Sequence, residues 1–511
     1  MRTTADMRGF VREACAMLAR QRDLAGFDVY ASSSEHRVAR INYTSDIPAR
    51  GVEEFKSLDA DGFAIRIAMA HDPHATGNAA IAGDMTIGAV REALERARRA
   101  VIVDPHFPGL PRGPKRLRTI PASAEKSRLM GAKDEILAAA AWRIVGGALA
   151  AFRARMKLAM PRPGLVIGGD LSLIRDRIAI GGSNFDDVRN DESARFASSV
   201  TALVEALNAK GSATAMGVTL EELNRAGARL GREALIRALA LRHGERPRHG
   251  TFRVVMGPQP IAEILNYMVV PSLTASAFQA ANSAYQGRFG ELVMDERISL
   301  ADDPGAPAGS IHRTITCEGL PAERTELVRH GRLCGLLANT YDAHRLLADE
   351  RRAEKLGAGA PAEPAFPPHS AYRMGESSAR RFDGHPGAAA TNLLMTAGAG
   401  VSDAELIRAV GDGIYVGRVW YTYPINGQRA GDFTCTISGD SYVIRGGRLA
   451  APLAPNHFRI NANISEIFSN PIGIARRPRP AMVWGSPEAY IVPPVAIDKL
   501  ALSAIASAES D

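Results

Sequence analysis

Three groups of residues in this chain could do chemistry: a glutamate in an apolar helix, a cysteine beside another glutamate, and a close pair of histidines. Glu263 lies in Ile261-Ala262-Glu263-Ile264-Leu265-Asn266-Tyr267-Met268, after a β-rich run (Phe252 to Met256) and the turn Gly257-Pro258-Gln259-Pro260. A strand that feeds a helix through a Gly/Pro turn is a common mount for catalytic groups. A carboxylate there can serve as general base toward water. Without a metal that water keeps a pKa near ~15.7 instead of about 7, so a lone carboxylate makes a poor hydrolase. The plainer reading is an acidic residue of the first helical turn, favoured by the helix dipole. Cys317 precedes Glu318, and His312, His330, His344 and His369 are candidate bases for a thiol nucleophile. No local signature supports such a pair, and buried free cysteines are common. His71 and His74, in His71-Asp72-Pro73-His74, have the side chains of metal ligands. Pro73 and the following Gly77-Asn78 put them in an exposed turn with no third ligand nearby.

The elements that must position these groups are read from periodicity and punctuation. Arg8 to Arg20 has Phe10, Val11, Ala14 and Leu18 at helical spacing. Strands are expected at Phe27 to Ala31, Val38 to Tyr43 and Gly62 to Ala68, followed by a helix from Thr86 to Val101. A proline-rich passage from Asp104 to Pro121 reads as a linker. Beyond it Asp134 to Arg155 is a helix, Leu165 to Ile167 and Asp176 to Ile180 are short strands, and Ser199 to Leu207 alternates loosely. Thr219 to Leu241 is a helix with Thr219 and Glu222 as a capping box. The pairs Gly168-Gly169 and Gly181-Gly182 lack the spacing and the Lys-Ser/Thr of a phosphate loop.

After Gly250, β signals dominate. The helix carrying Glu263 is expected to run on through Ala275, Phe278 and Ala281. Leu292 to Leu300 and His312 to Thr316 read as strands. Thr325 to Val328 and Leu333 to Leu337 read as a hairpin about His330-Gly331, and Thr434 to Ser438 with Tyr442 to Ile444 as another about Gly439-Asp440, before a turn at Gly446-Gly447. Asn426-Gly427 is a tight turn. Gly357 to Pro368 is expected as a mobile loop, and Trp484 as a packing residue. The fold class is α+β: an N-terminal α/β domain over residues 1–110, a linker and mixed α/β segment over 111–245, and a β-rich C-terminal domain over 246–511.

The chain has 511 residues, 46% apolar and 23% charged, which suits a globular protein of two or three domains. Neither a run of roughly 18 apolar residues nor a secretory leader is visible, so no membrane is expected and the expected compartment is the cytoplasm. The four cysteines are widely spaced and form no C-x-x-C, consistent with reduced thiols. The net charge of +7 is spread along the chain among acidic residues, a pattern that argues against a nucleic-acid interface.

A series of short markers in order carries a further implication. They are Gly257-Pro258, Gly287-Arg288-Phe289-Gly290-Glu291, Asp302-Asp303-Pro304, Glu318-Gly319-Leu320-Pro321, and His330-Gly331-Arg332-Leu333 leading to Gly335. Gly413-Ile414-Tyr415-Val416, Gly431-Asp432-Phe433-Thr434, Tyr442 and Gly447 follow. In order and spacing they resemble the C-terminal domain of the TldD/PmbA family, also called modulators of DNA gyrase. In catalytic members the helix carries His-Glu-x-x-x-His and a C-terminal Cys completes a zinc site. Here the matching positions are Ala262, Glu263 and Tyr267, with Trp484 in place of the Cys.

Zinc needs three deprotonated N, S or O ligands at about 2.0 to 2.3 Å. Ala has no donor, Trp only an N–H, and a neutral Tyr is a poor substitute. The resemblance therefore implies that this chain has no catalytic residue in the motif and binds no metal. It would be the PmbA/TldE-like subunit of a TldD/TldE-type metalloprotease, with zinc in a TldD-like partner chain. Glu263, Tyr267 and Trp484 become candidates for lining a channel for extended or unfolded peptides. The alternatives are a homodimeric peptide-binding or regulatory protein, or a hydrolase with a relocated site. Residues five apart on a regular helix point about 140° away from each other, so the family's metal spacing needs a π-type turn. Without the two histidines, nothing in this sequence is expected to require one.

Overall fold

The computed structural model describes residues 1–45, 47, 50–114, 128–155, 164–307, 309, 311–375, 379–486 and 488–505. The end of the proline-rich passage, 115–121, lies outside them. The N-terminal unit is built on seven antiparallel strands: β1 (Leu24–Thr44), β2 (Lys56–Met69), β3 (Ala75–Ala82), β4 (Ile102–Val103), β5 (Leu165–Gly182), β6 (Arg189–Val204) and β7 (Ala209–Gly217), in the order β4-β3-β2-β1-β5-β6-β7. β1 is flanked by β2 and β5, so the segments 1–110 and 111–245 share one sheet.

Four helices cover one face. α1 (Thr4–Leu18) and α2 (Ile87–Arg99) bury Phe10, Val11, Leu18, Val90 and Leu94 against Val29, Phe63 and Ile65. α3 (Asp134–Arg155) and α4 (Leu220–Ala240) cover β5 to β7 through Leu137, Ile144, Leu230 and Leu235. By length and composition α3 is apolar enough to cross a membrane; here one of its faces packs on α4. A Cβ added to Gly231 of α4 would stand 1.8 Å from the Ile144 carbonyl oxygen, so only glycine lets the two backbones come this close.

The opposite face of the sheet meets the C-terminal unit. Tyr30, Ile178 and Ile180 pack there against Ile315, Cys317, Ala371 and Phe382. Beside them Arg380, fully buried, is held by Asp176 and Asp191, each at 2.6 Å. Two differences from the expected strands have local causes. β1 does not break at Ser32-Ser33-Ser34-Glu35, because those residues are buried. β5 runs through Gly168-Gly169-Asp170 because Gly169, at φ +145°, lies against the Ser199 backbone, where a Cβ would meet the carbonyl oxygen at 2.1 Å.

Beyond β7 and α4 the chain forms two mixed sheets with a shared core. In the nine-stranded sheet β8 (Gly250–Met256) lies between Val495–Ala504 and Gly413–Val416, and Arg418–Pro424 is an edge strand. The six-stranded sheet includes Ile298–Asp302, Thr325–Arg329, Asn392–Ala397 and Ala489–Val492. Thr325–Arg329 pairs with Arg332–Leu333 about His330 and Gly331, both at positive φ, as the turn signal required. Asp432–Gly439 and Tyr442–Arg445 do not form the expected hairpin. The first pairs with Arg418–Pro424 and Phe458–Asn463, the second with Gly413–Val416 and Arg448–Pro452. His312 to Thr316 has no strand, only the bridge of Ile315 to Pro321, and the strand expected from Leu292 begins at Ile298. The stretch from Gly357 to Pro368 is pinned rather than free: Gly357 backs onto the Gly287 carbonyl, and buried Phe366 makes an edge contact with Phe289.

Candidate functional site

β8 ends at Met256, and the next residue, Gly257, caps helix α5 (Pro258–Ile264) and carries no Cβ because the Tyr415 hydroxyl would stand 2.9 Å from it. Pro258 takes the first helical position, where its missing N–H costs nothing. The helix does not continue evenly. Leu265–Val269 is a π turn, in which the Val270 N–H donates to the Leu265 carbonyl, and α6 (Val270–Ser272) follows. The helix then stops, restarts as Ala275–Gln279, and ends before Ala281 at φ +54°.

The π turn is thus present, against the expectation that nothing in the sequence requires one. Its physical reason is Pro271, which has no N–H for an α-helical bond and whose ring would clash with the carbonyl four residues earlier. The Met268 carbonyl is met by side chains: the Ser272 hydroxyl donates to it at 2.9 Å, and so does the Gln428 amide.

Gln259, one turn before Glu263, acts as a short backbone surrogate. Its Oε1 accepts the Val419 N–H at 2.9 Å, and its Nε2 donates to the Val419 carbonyl at 3.2 Å and to Glu263 Oε1 at 2.9 Å. The edge strand Arg418–Pro424 is thereby clasped to α5. Glu263 is 6% exposed. Burial pushes its carboxyl up to about 7, against the opposing pull of the neighbouring Thr422 hydroxyl, the Arg418 guanidinium and the Gln259 amide. Ala262 is fully buried in the core and carries no donor atom.

Tyr267 is exposed. Burial of its phenol, then the charges of Glu263 and Glu488, raise its pKa and hold it neutral. Beside it Asn266 Oδ1 accepts from the Tyr490 hydroxyl at 2.7 Å and the Ser486 hydroxyl at 2.9 Å, and Ser486 also contacts the Glu488 carboxyl. Burial, the leading cause, raises the pKa of the Glu488 carboxyl.

Trp484 is not a packing residue: it is 68% exposed. Gly485 at φ +76° turns the chain there while Ser486 is anchored to Asn266, leaving the loop tip outside. Trp420, Tyr421 and Tyr423 on the edge strand are also exposed. The structure brings Glu263 and Tyr267 into one electrostatic neighbourhood and leaves Ala262 in the core. Cys317 is buried and its thiol is pushed up to about 12 by burial, the wrong direction for a nucleophile. His71 and His74 lie in an exposed turn. Sequence reasoning missed Gln259, Asn266, Gln428, Ser486 and Glu488. Only Pro271, a helix breaker four residues past Tyr267, was a legible signal of the widened turn.

The donor set does not fit a zinc ion. Of the positions that would ligate it, Ala262 offers nothing, Tyr267 a phenol held neutral, and Trp484 an N–H on an outward loop. Among the described residues no group of three or more His, Cys, Asp or Glu is placed to hold a metal ion.

Residues 249–504 match the sequence model of the PmbA/TldA metallopeptidase C-terminal domain. The fold is similar to that of TldE from Thermococcus kodakarensis, at 15% identity and a TM-score of 0.77, over 98% of this chain and 100% of that one. It is also similar to a candidate modulator of a DNA gyrase from Thermotoga maritima MSB8, at 15% identity and a TM-score of 0.73, over 97% and 99%. A third such structure, from Bacteroides thetaiotaomicron VPI-5482, has 17% identity and a TM-score of 0.71, over 99% and 100%. An uncharacterized protein of Methanocaldococcus jannaschii is 27% identical over 92 residues, which is 18% of this chain and 22% of that protein.

Proposed function

The chain belongs to the PmbA/TldD metallopeptidase family, and from that premise we propose that it is the non-catalytic subunit of a TldD/TldE-type zinc protease. It would shape a chamber for extended or unfolded peptides beside a zinc-bearing partner chain. One observation carries the reading: the motif helix keeps its π turn and its buried glutamate, while Ala262 and Tyr267 stand where donors would be needed. A carboxyl pushed up to about 7 could accept a proton near neutral pH. With no metal to lower the pKa of water, it has no competent nucleophile to activate.

What the helix offers a peptide is surface: an exposed phenol at Tyr267 and, across the Gln259 clasp, an edge strand with exposed Trp420, Tyr421 and Tyr423. An edge strand with aromatic side chains suits an extended peptide, which gains main-chain hydrogen bonds from the edge and specificity from the rings. A homodimeric peptide binder is the second reading, favoured by the same edge, which could equally meet a second copy of the chain.

The test is to measure peptide cleavage by a zinc-bearing homologue from the same organism with and without this chain. Activity that requires both chains supports the subunit reading, and substitution of Tyr267 by Ala should then change peptide affinity more than turnover. Equal cleavage without this chain refutes it, and self-association with peptide binding would favour the second reading.

A further inference from the structure

A surplus of hydrogen-bond donors is buried where the N-terminal sheet meets the C-terminal unit. Strand register aligns His36 of β1, Ile174 of β5 and Arg195 of β6 in one row, and paired residues of antiparallel strands point to the same face. Ile178 and Ile180, farther along β5 and in phase with Ile174, show that this face meets the C-terminal unit. The loop before Thr325–Arg329 brings Arg313 to it. Arg313 is 3% exposed, with its guanidinium carbon 4.1 Å over the Tyr372 ring. Its Nη2 reaches only the Met374 sulfur, at 3.5 Å. Among the described residues Nε and Nη1 of Arg313 have no hydrogen-bond partner, nor do the Tyr372 hydroxyl and the two ring nitrogens of His36.

Among the described residues the acids in this field have other hydrogen-bond partners. Asp176 and Asp191 are taken by Arg380. Asp302 accepts the Thr391 N–H at 2.7 Å and its hydroxyl at 2.8 Å. Glu488 is held by Ser486. Burial raises the pKa of both Asp302 and Glu488 and so weakens their value as counter-ions. Arg195 stands in the same field, pushed down to about 10 by burial and then by the like charge of Arg313. A buried guanidinium whose N–H groups face no acceptor is costly, and an oxyanion is its strongest complement.

We propose that this cluster of buried donors binds an acid group, the carboxylate of an extended peptide, with Arg313 as its main ligand and Tyr372 and His36 adding donors. The assignment of the carboxylate to a peptide rests on the peptide-chamber reading above. The geometry links the two places: Glu488 feels the charges of Arg195 and Arg313 on one side and is tied through Ser486 to Asn266 on the other.

The experiment titrates the full chain with two fluorescein-labelled octapeptides of one sequence, ending in a free carboxylate or a carboxamide, and follows its melting temperature against inorganic phosphate. The carboxylate form should bind about tenfold tighter, and the preference should vanish in Arg313→Gln and shrink in His36→Ala. Equal affinity for both peptides overturns the acid site and leaves the peptide reading standing. If neither peptide binds, yet phosphate raises the melting temperature of the wild type and not of Arg313→Gln, the peptide reading fails and a free-oxyanion site stands. Neither peptide binding nor a phosphate shift overturns both, with ordered water satisfying the donors. If Arg313→Gln does not fold, His36→Ala decides, and an unchanged preference in it overturns the site.

Discussion

Replacing Glu263 by Gln should stabilise the protein at alkaline pH and leave it unchanged at acid pH. The carboxyl is 6% exposed and titrates at about 7 in the folded chain, against an ordinary 4.5. Between those values the folded state binds more protons than the unfolded state, so unfolding free energy falls as pH rises through the window. At about 1.4 kcal/mol per pH unit, the ionised carboxyl costs the folded state roughly 3 kcal/mol above the window and nothing below it. Gln removes the charge and keeps the shape, and Gln259 Nε2 can still donate to its amide oxygen. Urea unfolding of wild type and Glu263→Gln, followed by tryptophan fluorescence near pH 4 and near pH 8, reads the difference. Asp302, also pushed up to about 7, titrates in both proteins and cancels. The variant's midpoint should rise clearly at the higher pH and match the wild type at the lower one. An equal effect at both values, or a loss of stability at the higher, would refute the claim that burial outweighs the pull of Arg418 and the hydrogen-bond donors on this carboxyl.

Gln259→Ala should free both backbone groups of Val419, and hydrogen exchange there should quicken by about tenfold or more while Phe458–Asn463 keeps its protection. Unchanged exchange at Val419 would mean that the clasp does not hold the edge strand. Arg380→Met should cost about 3–5 kcal/mol at neutral pH, because it leaves Asp176 and Asp191 buried and unpaired. Part of that loss should return on acidification as the carboxyls take protons, and a small, pH-independent loss would contradict the pairing.

Much of the fold could be read locally, wherever a signal acts within one element. Thr86 and Thr219 cap their helices as their side chains require, and Glu222 closes the second as a capping box. His330-Gly331 makes its turn because both positions need positive φ. What failed to read was decided by partners far along the chain. The polar run Ser32 to Arg37 looked like a break between strands because polarity in a strand normally means solvent. Here it meets a second polar surface, and Glu35 is paired with Arg37 and Arg175. Gly439-Asp440 does turn the chain, with Asp440 at φ +51°, but a turn signal does not say whether the strands it separates will choose each other. The candidate site divides in the same way. Glu263 and Tyr267 were visible as motif positions, whereas Gln428, Glu488, Arg195 and Arg313 converge from separate elements and carry no pattern of their own.

The π turn bears most directly on what this helix is for. If a bound metal were its cause, a chain with Ala262 and Tyr267 in the ligand positions would relax to a regular α-helix and recover the ordinary bond ladder. That path is closed here by covalent chemistry, since Pro271 has no N–H to offer and its ring excludes the α-helical position of the carbonyl before it. The carbonyl that Pro271 cannot serve is that of Tyr267, four residues earlier, and the next one, of Met268, accepts from the Ser272 hydroxyl and from the Gln428 amide of a distant turn. The widened turn is therefore a property of the scaffold. It holds Tyr267 outward beside Glu488 and turns Asn266 toward Ser486 and Tyr490, independently of any ligand. A helix whose shape is fixed by proline and side-chain amides can lose its metal donors without losing its surface, and a surface of fixed shape is what a partner chain or a peptide would need from it.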